Sequence, residues 1–214
     1  MKKSVYSLVL SDELVKQLDR AAYTRGQSRS GLINEILAEY LSYTTPEMHM
    51  QQVLDCARRL LDGGSEMQLV APPSGGGMML RSALHYKYNP TVRYTVELFR
   101  SKAGPAGRLR AQLRTRSAVL LADAEGFFTL WDGLERRLRG GVEATIEPGR
   151  YTRIFRPEGK GQSAQSLGEC IAGYVTLFDH SLRLYFESLD EPERAAGEVG
   201  RSYAAWLKAG KPLL

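Results

Sequence analysis

Few side chains in this sequence have the type and spacing that catalysis or metal binding requires. The histidines lie far apart, at His49, His85 and His180. The cysteines Cys56 and Cys170 form no Cys-x-x-Cys pair, and the sequence has neither a His-Glu-x-x-His motif nor a Gly-x-Ser-x-Gly turn. Asp179 and His180 are expected to form a surface pair on a helix. We therefore predict no catalytic residue, no metal site, no cofactor and no enzymatic activity.

Arginine offers a different chemistry, because its guanidinium group binds phosphate and carboxylate oxygens. The chain has a net charge of +5, and the excess lies in residues 45–160, which hold 18 Lys and Arg against 12 Asp and Glu. This mild excess permits a nucleic-acid partner without requiring one. Several arginines recur at alternate positions that would share one face of a sheet. They are Arg81, Arg93, Arg108, Arg110, Arg114 and Arg116.

Two interpretations of this basic face stay open. Most charged faces are simply solvated, and charges along an edge strand prevent unwanted pairing, so this interpretation is favoured. Alternatively, the face is an accessory platform for DNA backbone, RNA or an acidic partner. No pair of aromatic residues shares the face, which weakens the case for RNA or single-stranded nucleic acid.

The composition is that of an ordinary globular protein. The 214 residues are 43% hydrophobic and 25% charged, which suits one or two domains with a packed core. No apolar run approaches the roughly 18 residues that a membrane helix needs, and the basic start Met1–Lys3 is not followed by the apolar segment of a signal peptide. We expect a cytoplasmic protein without a membrane partner, in which Cys56 and Cys170 are buried thiols rather than a disulfide.

The most strongly patterned segment is residues 3–43. Lys3–Leu10 is rich in apolar and β-branched residues and predicts a strand. Ser11 is a natural N-cap for the helix that follows, which has acidic residues in its first turn. Gly26 suits the left-handed position that ends this helix, and Ser28 caps a second helix. The apolar stripe of the second helix comprises Leu32, Ile33, Ile36, Leu37, Tyr40 and Leu41.

About forty residues cannot bury this much apolar surface alone. The strand alternates, so that Tyr6, Leu8 and Leu10 should face a core while Lys3 and Ser7 face outward. A lone strand also needs a second strand with which to pair. A two-fold dimer meets both needs, because two copies of the strand form an antiparallel ribbon and four helices close a shared core.

These features resemble the ribbon-helix-helix family of DNA-binding proteins, of the Arc, MetJ and CopG type. The matching segments are the strand leading into Leu10–Leu14, the break at Arg25–Ser30 and the helix opening at Leu32–Ile36. The resemblance covers residues 3–43. It implies an intertwined homodimer that lays its paired strands in the major groove of double-stranded DNA.

The resemblance also implies which side chains contact DNA. Outward strand positions contact base edges, and here they are Lys3, Val5, Ser7 and Val9. Phosphate contacts are expected around the start of the second helix, at Lys2, Arg25, Ser28, Arg29 and Ser30. The free backbone N–H groups of a helix start independently favour an anion. Val5 and Val9 depart from the polar residues usual in the family, and they would contact thymine methyl groups.

The rest of the chain, residues 45–214, is expected to form an α+β domain after a ribbon-helix-helix domain at residues 1–44. Residues 72–77 predict a flexible Gly/Pro loop. Three strand-like runs within residues 79–117, with no helix between them, predict an antiparallel meander in a sheet of three to five strands. Helices are predicted at residues 46–62, 118–139, 165–188 and 191–208.

We therefore expect a bacterial transcriptional regulator that binds double-stranded DNA as a homodimer, with higher oligomers where dimers bind side by side. Its C-terminal domain would sense a small-molecule effector, oligomerise or bind a protein partner. One alternative is a plasmid or mobile-element accessory protein for copy control, partition or conjugation. A second alternative is a ligand-binding or enzymatic C-terminal domain for which the N-terminal unit serves only to dimerise.

Overall fold

The computed structural model describes residues 5–63, 67–87, 89–100, 104–156 and 163–210. In these residues the protein is a mixed α+β structure with six helices and a six-stranded antiparallel sheet, which confirms the predicted class. The chain divides into two compact units, Met1–Met48 and His49–Leu214.

Two N-capped helices form the N-terminal unit, as predicted. They are α1 (Asp12–Thr24) and α2 (Arg29–Tyr40). The hydroxyl of Ser11 accepts a hydrogen bond from the N–H of Leu14 at 3.4 Å, and that of Ser28 accepts one from Gly31 at 3.1 Å. Gly26, in the break between the helices, has a φ of 63°, a left-handed conformation that glycine adopts without strain.

The strand predicted at residues 3–10 is not present in the single chain. Residues 5–11 have no regular secondary structure, and Lys2 and Lys3 lie outside the described residues. The face predicted to point inward is open, since Tyr6 and Leu8 are 83% and 60% exposed. A strand needs a neighbour for its N–H and C=O groups, and a single chain supplies none here. The ribbon-helix-helix arrangement is therefore not shown.

Four further helices follow, each within one residue of its predicted bounds. They are α3 (Pro46–Asp62), α4 (Ala118–Arg139), α5 (Ala164–Glu187) and α6 (Pro192–Lys208). Ser117 caps α4 and Ser163 caps α5, through hydrogen bonds of 3.4 and 3.1 Å from Leu120 N and Ser166 N. Apolar periodicity and capping residues together fixed these boundaries.

The sheet has six strands in the described residues, one more than the widest prediction. They are β1 (Gln68–Ser74), β2 (Gly77–Ala83), β3 (Thr91–Leu98), β4 (Gly107–Arg114), β5 (Ala144–Glu147) and β6 (Arg150–Phe155). Their order across the sheet is β1-β2-β3-β4-β6-β5. The meander of β2, β3 and β4 is confirmed. The sequence pattern did not indicate β5, because its four residues are too few to show alternation.

The prediction of a flexible loop at residues 72–77 is wrong, because these residues form the end of a hairpin. Pro72 and Pro73 lie within β1, and Gly75 and Gly76 make the turn to β2. The φ angles of these glycines, 58° and 81°, suit a two-residue hairpin turn. β1 is an edge strand whose pairing with β2 has two register shifts. Proline is tolerated in an edge strand, because one side of such a strand has no neighbouring strand to accept a hydrogen bond from its N–H group.

Helices α3 to α6 and one face of the sheet share a single hydrophobic core. Side chains of β3 and β4 alternate between buried and partly exposed, as predicted. The aromatic centre of this core consists of Phe127, Phe128, Trp131, Tyr151, Tyr174 and Phe178. The opposite face of the sheet stays accessible and carries the predicted arginines except Arg116, because β4 ends at Arg114, two residues before it.

Candidate functional site

The N-terminal unit has a small core and a large exposed apolar surface. Its core cluster is Leu18, Ala22 and Leu32, with Leu10 and Ile33 packed partly against it. The exposed apolar side chains are Val5, Tyr6, Leu8, Val9, Leu14, Tyr23, Ile36, Leu37, Tyr40, Leu41 and Tyr43. Burying one such side chain fully contributes about 1.5–3 kcal/mol. An exposed apolar surface of this size is typical of a protein interface.

Three of the predicted phosphate-binding residues lie at the start of α2. Ser28 and Ser30 are exposed, and their hydroxyl oxygens are 3.3 Å apart. Arg29 is held within the unit, because its Nε and Nη2 donate to the two carboxylate oxygens of Asp19 at 2.6 and 2.5 Å. This hydrogen bonding lowers the pKa of Asp19 and raises the pKa of Arg29.

Of the other predicted DNA contacts, those within the described residues are exposed, but no strand aligns them in the single chain. Val5, Ser7 and Val9 belong to the segment without secondary structure. Arg25 is near an acidic partner, with its Nη1 3.6 Å from Oε1 of Glu35. The free unit therefore carries the predicted contact residues on its surface, with both of its arginines at the break already paired.

The arginines of the sheet differ in how strongly their charges are balanced. Arg108 donates from Nε to Oε2 of Glu97 at 2.6 Å, and Nη1 of Arg110 lies 3.9 Å from the other oxygen of that carboxylate. Arg81 donates two hydrogen bonds, of 3.0 and 2.8 Å, to the neutral side chain of Gln68. One carboxylate thus serves two arginines, while the charge of Arg81 is not neutralised.

Three other arginines, Arg93, Arg114 and Arg116, make no hydrogen bond or ion pair to any described residue. Arg93 lies directly opposite Arg81 in the register of β2 and β3. Like charges in directly opposed positions destabilise a sheet unless solvent or an anion screens them. The exposed face is therefore a surface of incompletely balanced positive charge.

One row of polar side chains crosses all six strands of this face. From β1 to β5 it consists of Gln68, Arg81, Arg93, Gln112, Arg150 and Glu147. Arg150 donates to Glu147 at 3.2 Å. Sequence reasoning did not place Arg150 on this face, because only the observed register shows that it lies opposite Gln112.

A fully buried carboxylate, that of Glu135 in α4, lies within the core of the C-terminal unit. Arg153 donates from Nε to Oε2 of Glu135 at 3.0 Å. The hydroxyls of Tyr151 and Tyr174 donate to the same oxygen at 3.0 and 2.9 Å, and that of Tyr203 donates to Oε1 at 3.4 Å. Because a buried ion pair stabilises only when its other polar atoms are satisfied, these hydroxyls complete the pair.

Burial also keeps these tyrosines protonated. Desolvation is the largest cause that raises the pKa of Tyr151, Tyr174 and Tyr203, and the negative charge of Glu135 raises the pKa further in each case. Their hydroxyls therefore remain hydrogen-bond donors throughout the physiological pH range.

Arg139, in the last turn of α4, is a second buried arginine beside Glu135. Its side chain is 7% exposed, and its Nη1 lies 4.0 Å from Oε1 of Glu135. Neither Nε nor Nη1 of Arg139 has a hydrogen-bond partner among the described residues. A cavity of about 180 Å³ lies next to this side chain. The residues around the cavity include Arg139, Gly140, Gly141, Glu143, Arg153 and Arg156.

A second buried network overturns the expected surface pair of Asp179 and His180. Asp179 accepts hydrogen bonds of 2.9 Å from the hydroxyl of Tyr94 and from Nε of Arg183. Nη2 of Arg183 donates to the hydroxyl of Ser82 at 2.7 Å. His180 is exposed, because successive helix positions point in different directions. The Asp179 network joins α5 to the sheet, and we assign it a structural role.

The two cysteines are free and buried, as expected. A cavity of about 490 Å³ lies between α3 and the start of α5, near Gln52, Cys56, Arg59, Leu60, Gln165 and Glu169. The thiol of Cys56 is 3.5 Å from the carbonyl oxygen of Gln165, and burial raises the pKa of Cys170. Within the described residues no histidine lines this cavity, so it contains no Cys–His pair.

The described residues contain no group of three or more His, Cys, Asp and Glu side chains that could hold a metal ion. Among the described helices, none combines the length and the apolar character that crossing a membrane requires. The chain matches no protein-family model, no curated protein and no solved structure. Arguments about function therefore rest on the side chains described above.

Sequence reasoning did not identify Glu135, Arg139 or Arg153 as candidate site residues. A signal for two of them was present. Glu135 falls on the apolar stripe of α4, where a charged residue must be buried or paired. Arg153 alternates with Tyr151 and Phe155 along β6, which places it on the core face.

Proposed function

We propose that the protein is a homodimeric regulator that binds double-stranded DNA sequence-specifically through its N-terminal unit. The observation that carries the proposal is the apolar surface of α1 and α2, which a single chain leaves exposed beside an unpaired segment, residues 5–11. In the proposed dimer, residues 3–10 of two copies pair as an antiparallel ribbon. The C-terminal unit then senses an effector, oligomerises or recruits a partner.

Dimerisation is supported by the amount of apolar surface that it would bury. The exposed side chains at the end of α2 are Ile36, Leu37 and Tyr40, and Leu41 follows as the C-cap. Burial of several of them in each chain would contribute more than about 5 kcal/mol. That gain would offset part of the entropy lost when the segment before α1 becomes ordered as a strand.

An anion at the start of α2 is supported by backbone geometry. The first N–H groups of a helix have no acceptor within the helix, and the macrodipole adds about half a positive charge there. The exposed hydroxyl of Ser30 lies beside these groups, while Ser28 already accepts from Gly31. A DNA phosphate would bind this terminus in each of the two chains.

The pair between Arg29 and Asp19 modifies the predicted contact. In the free protein Asp19 neutralises Arg29, so the guanidinium group does not add attraction for DNA. Solvent screens an exposed ion pair strongly, so a phosphate could replace Asp19 at little cost. Arg29 would then bind phosphate through the same two nitrogens that now hold Asp19.

Base recognition in this proposal comes from the outward side chains of the ribbon. Ser7 supplies a hydroxyl that hydrogen-bonds to a base edge, and Lys3 favours guanine. Val5 and Val9 contact thymine methyl groups. With two of four positions apolar, discrimination between operators would depend strongly on Ser7 and Lys3.

A second candidate function is ligand binding by the C-terminal unit, with the N-terminal unit serving to dimerise. The observation that favours it is the cavity beside Arg139, whose Nε and Nη1 have no hydrogen-bond partner among the described residues. A plasmid accessory role would use the same DNA-binding surface. It differs in the partner of the C-terminal unit.

The test is fluorescence anisotropy with a labelled duplex taken from upstream of the protein's own gene, compared with a scrambled duplex. Ser7→Ala combined with Arg29→Ala should weaken binding by about tenfold or more, since hydrogen bonds to charged groups contribute about 1.5–3 kcal/mol. The dimer should survive in sedimentation experiments, because neither side chain belongs to the apolar surface.

The matched control is Ser202→Ala combined with Arg58→Ala in the C-terminal unit. Arg58 is also an exposed arginine in a helix ion pair, with Asp62 at 3.0 Å. This control should bind DNA as the unchanged protein does. Equal affinity of the unchanged protein for the upstream and scrambled duplexes at low salt would contradict the proposal.

A further inference from the structure

We propose that the cavity at the C-terminal end of α4 is a binding site for a small oxyanion, a phosphate or carboxylate group. Three arginines approach this cavity. Arg139 comes from the last turn of α4, Arg153 from β6, and Arg156 from the residue after β6. The site lies wholly within the C-terminal unit.

Among the described residues around the cavity, positive charge exceeds negative charge. Glu135 is 0% exposed, the side chains of Arg153 and Arg139 are 3% and 7% exposed, and both arginines lie beside this one described carboxylate. The surrounding tyrosines are neutral and add no negative charge. The carbonyl end of α4 supplies only about half a negative charge. Because a buried, uncompensated charge is costly, a bound anion would be stabilised here.

Part of the hydrogen-bonding capacity beside the cavity is unused. Arg153 is engaged by Glu135 and by the carbonyl of Ile154. Arg139 lines the cavity and lies 4.0 Å from Glu135, and its buried Nε and Nη1 find no acceptor in the described part of the chain. A guanidinium group offers two parallel N–H donors to an oxyanion, so a small rotation of this side chain would bring unused donors to a bound anion.

At the rim, the remaining charged groups are paired with each other. Nη2 of Arg156 lies 2.8 Å from Oε1 of Glu143, and both side chains are about half exposed. Arg156 can turn from Glu143 to a ligand, because an exposed pair of this kind is weak. Glu143 would repel a ligand with a second negative charge on that side, which favours a compact anion.

The volume of the cavity limits the ligand. It holds about 180 Å³, roughly six times the 30 Å³ that one water molecule occupies in the liquid. Drug-sized ligands use cavities of about 300–1,000 Å³. The site therefore suits inorganic phosphate, a short dicarboxylate or the terminal anionic group of a larger molecule.

An anion bound at this site would affect several helices and strands of the C-terminal unit. The ion pair of Glu135 and Arg153 connects α4 to β6, and the hydroxyl groups of Tyr174 in α5 and Tyr203 in α6 donate to the same carboxylate. An anion that neutralises Arg139 would stabilise the contacts among these four elements. Ligand binding should therefore appear as increased thermal stability of the C-terminal unit.

The experiment measures thermal unfolding of the full-length protein in potassium phosphate, in potassium succinate and in potassium chloride at equal ionic strength. No DNA is present, so the outcome is independent of the proposed DNA binding. At about ten times its Kd, a bound anion should raise the unfolding midpoint by about 3–6 °C above that in chloride. A rise with phosphate alone indicates a phosphate ligand, and a rise with succinate alone indicates a carboxylate ligand.

Variants at the cavity test whether the rise in the unfolding midpoint comes from an anion bound at this site. Arg139→Met removes the free donors and an uncompensated charge, so the variant should fold and should lose the anion-dependent rise. The control is Arg136→Met in the same turn, whose side chain is 54% exposed and bonded to Asp132, and which should keep the rise. Arg156→Gln at the rim should weaken anion binding severalfold. This variant provides the test of the site if Arg139→Met does not fold. Equal midpoints in all three salts would overturn the proposal, as would an unchanged rise in both Arg139→Met and Arg156→Gln.

Discussion

Replacing Glu135 with glutamine should destabilise the C-terminal unit severely, although the two side chains have nearly the same shape. The change removes the buried negative charge beside Arg153, whose Nε is 3.0 Å from the carboxylate. Breaking a buried ion pair by removing one partner costs about 3–5 kcal/mol. Domains unfold with a total of about 5–15 kcal/mol, so this loss is a large fraction of the stability.

Urea unfolding followed by tryptophan fluorescence measures this loss. Trp131 reports on the site directly, because its indole N–H donates to the hydroxyl of Tyr174 at 3.1 Å and that hydroxyl binds Glu135. With a slope of about 1–3 kcal/mol per molar urea, the midpoint should fall by at least about 1 M. The same change at an exposed glutamate, Glu147→Gln, should cost no more than about 1 kcal/mol.

A double variant distinguishes loss of the ion pair from loss of packing. In Glu135→Met with Arg153→Met, both charges are gone, and the total loss should be smaller than the sum of the two single losses by at least about 1 kcal/mol. Additive losses would refute the reasoning. A midpoint for Glu135→Gln equal to that of Glu147→Gln would refute it as well.

Three further predictions concern pH, assembly and salt. Burial raises the pKa of four tyrosines above the ordinary 10.0, so their contribution to stability should be constant below about pH 10. Above that pH it should fall by about 1.4 kcal/mol per pH unit for each tyrosine, as phenolate absorbance and unfolding curves will show. The four are Tyr94, Tyr151, Tyr174 and Tyr203. Leu37→Glu should convert the proposed dimer to a monomer of 23.9 kDa in sedimentation experiments, while Val119→Glu, at a still more exposed apolar position in α4, should leave it a dimer. If the basic sheet face contacts the DNA backbone, Arg93→Glu with Arg114→Glu should reduce the slope of log affinity against log salt concentration by about 0.9 per lost phosphate contact. An unchanged slope would favour the interpretation that these arginines are simply solvated.

The helices were predictable because their signals are local. Ser11, Ser28 and Ser117 each precede an apolar stripe and act as N-caps in the structure. Helical periodicity repeated over 12 to 24 residues leaves little ambiguity in such segments. The alternation of β3 and β4 was equally clear, because each strand has eight residues with one buried face.

The parts that were missed depend on information from elsewhere in the fold. Pro72 and Pro73 resemble a loop until β1 is known to be an edge strand. The pairing of Glu135 with Arg153 joins a helix to a strand 18 residues later, and local patterns do not reveal which buried charges meet. In the proposed dimer the segment before α1 pairs with a second chain, and a single copy offers it no neighbouring strand.

Hydrogen exchange at residues 5–10 tests the central claim most directly, because the ribbon exists only if these residues pair between two chains. In the full-length dimer, amide groups in this segment should exchange slowly, and Leu37→Glu should abolish their protection. Duplex DNA carrying the upstream sequence should increase the protection further, with a scrambled duplex having less effect. Fast exchange at every amide of residues 5–10 in both the dimer and the DNA complex would contradict the ribbon and the DNA-binding surface built on it.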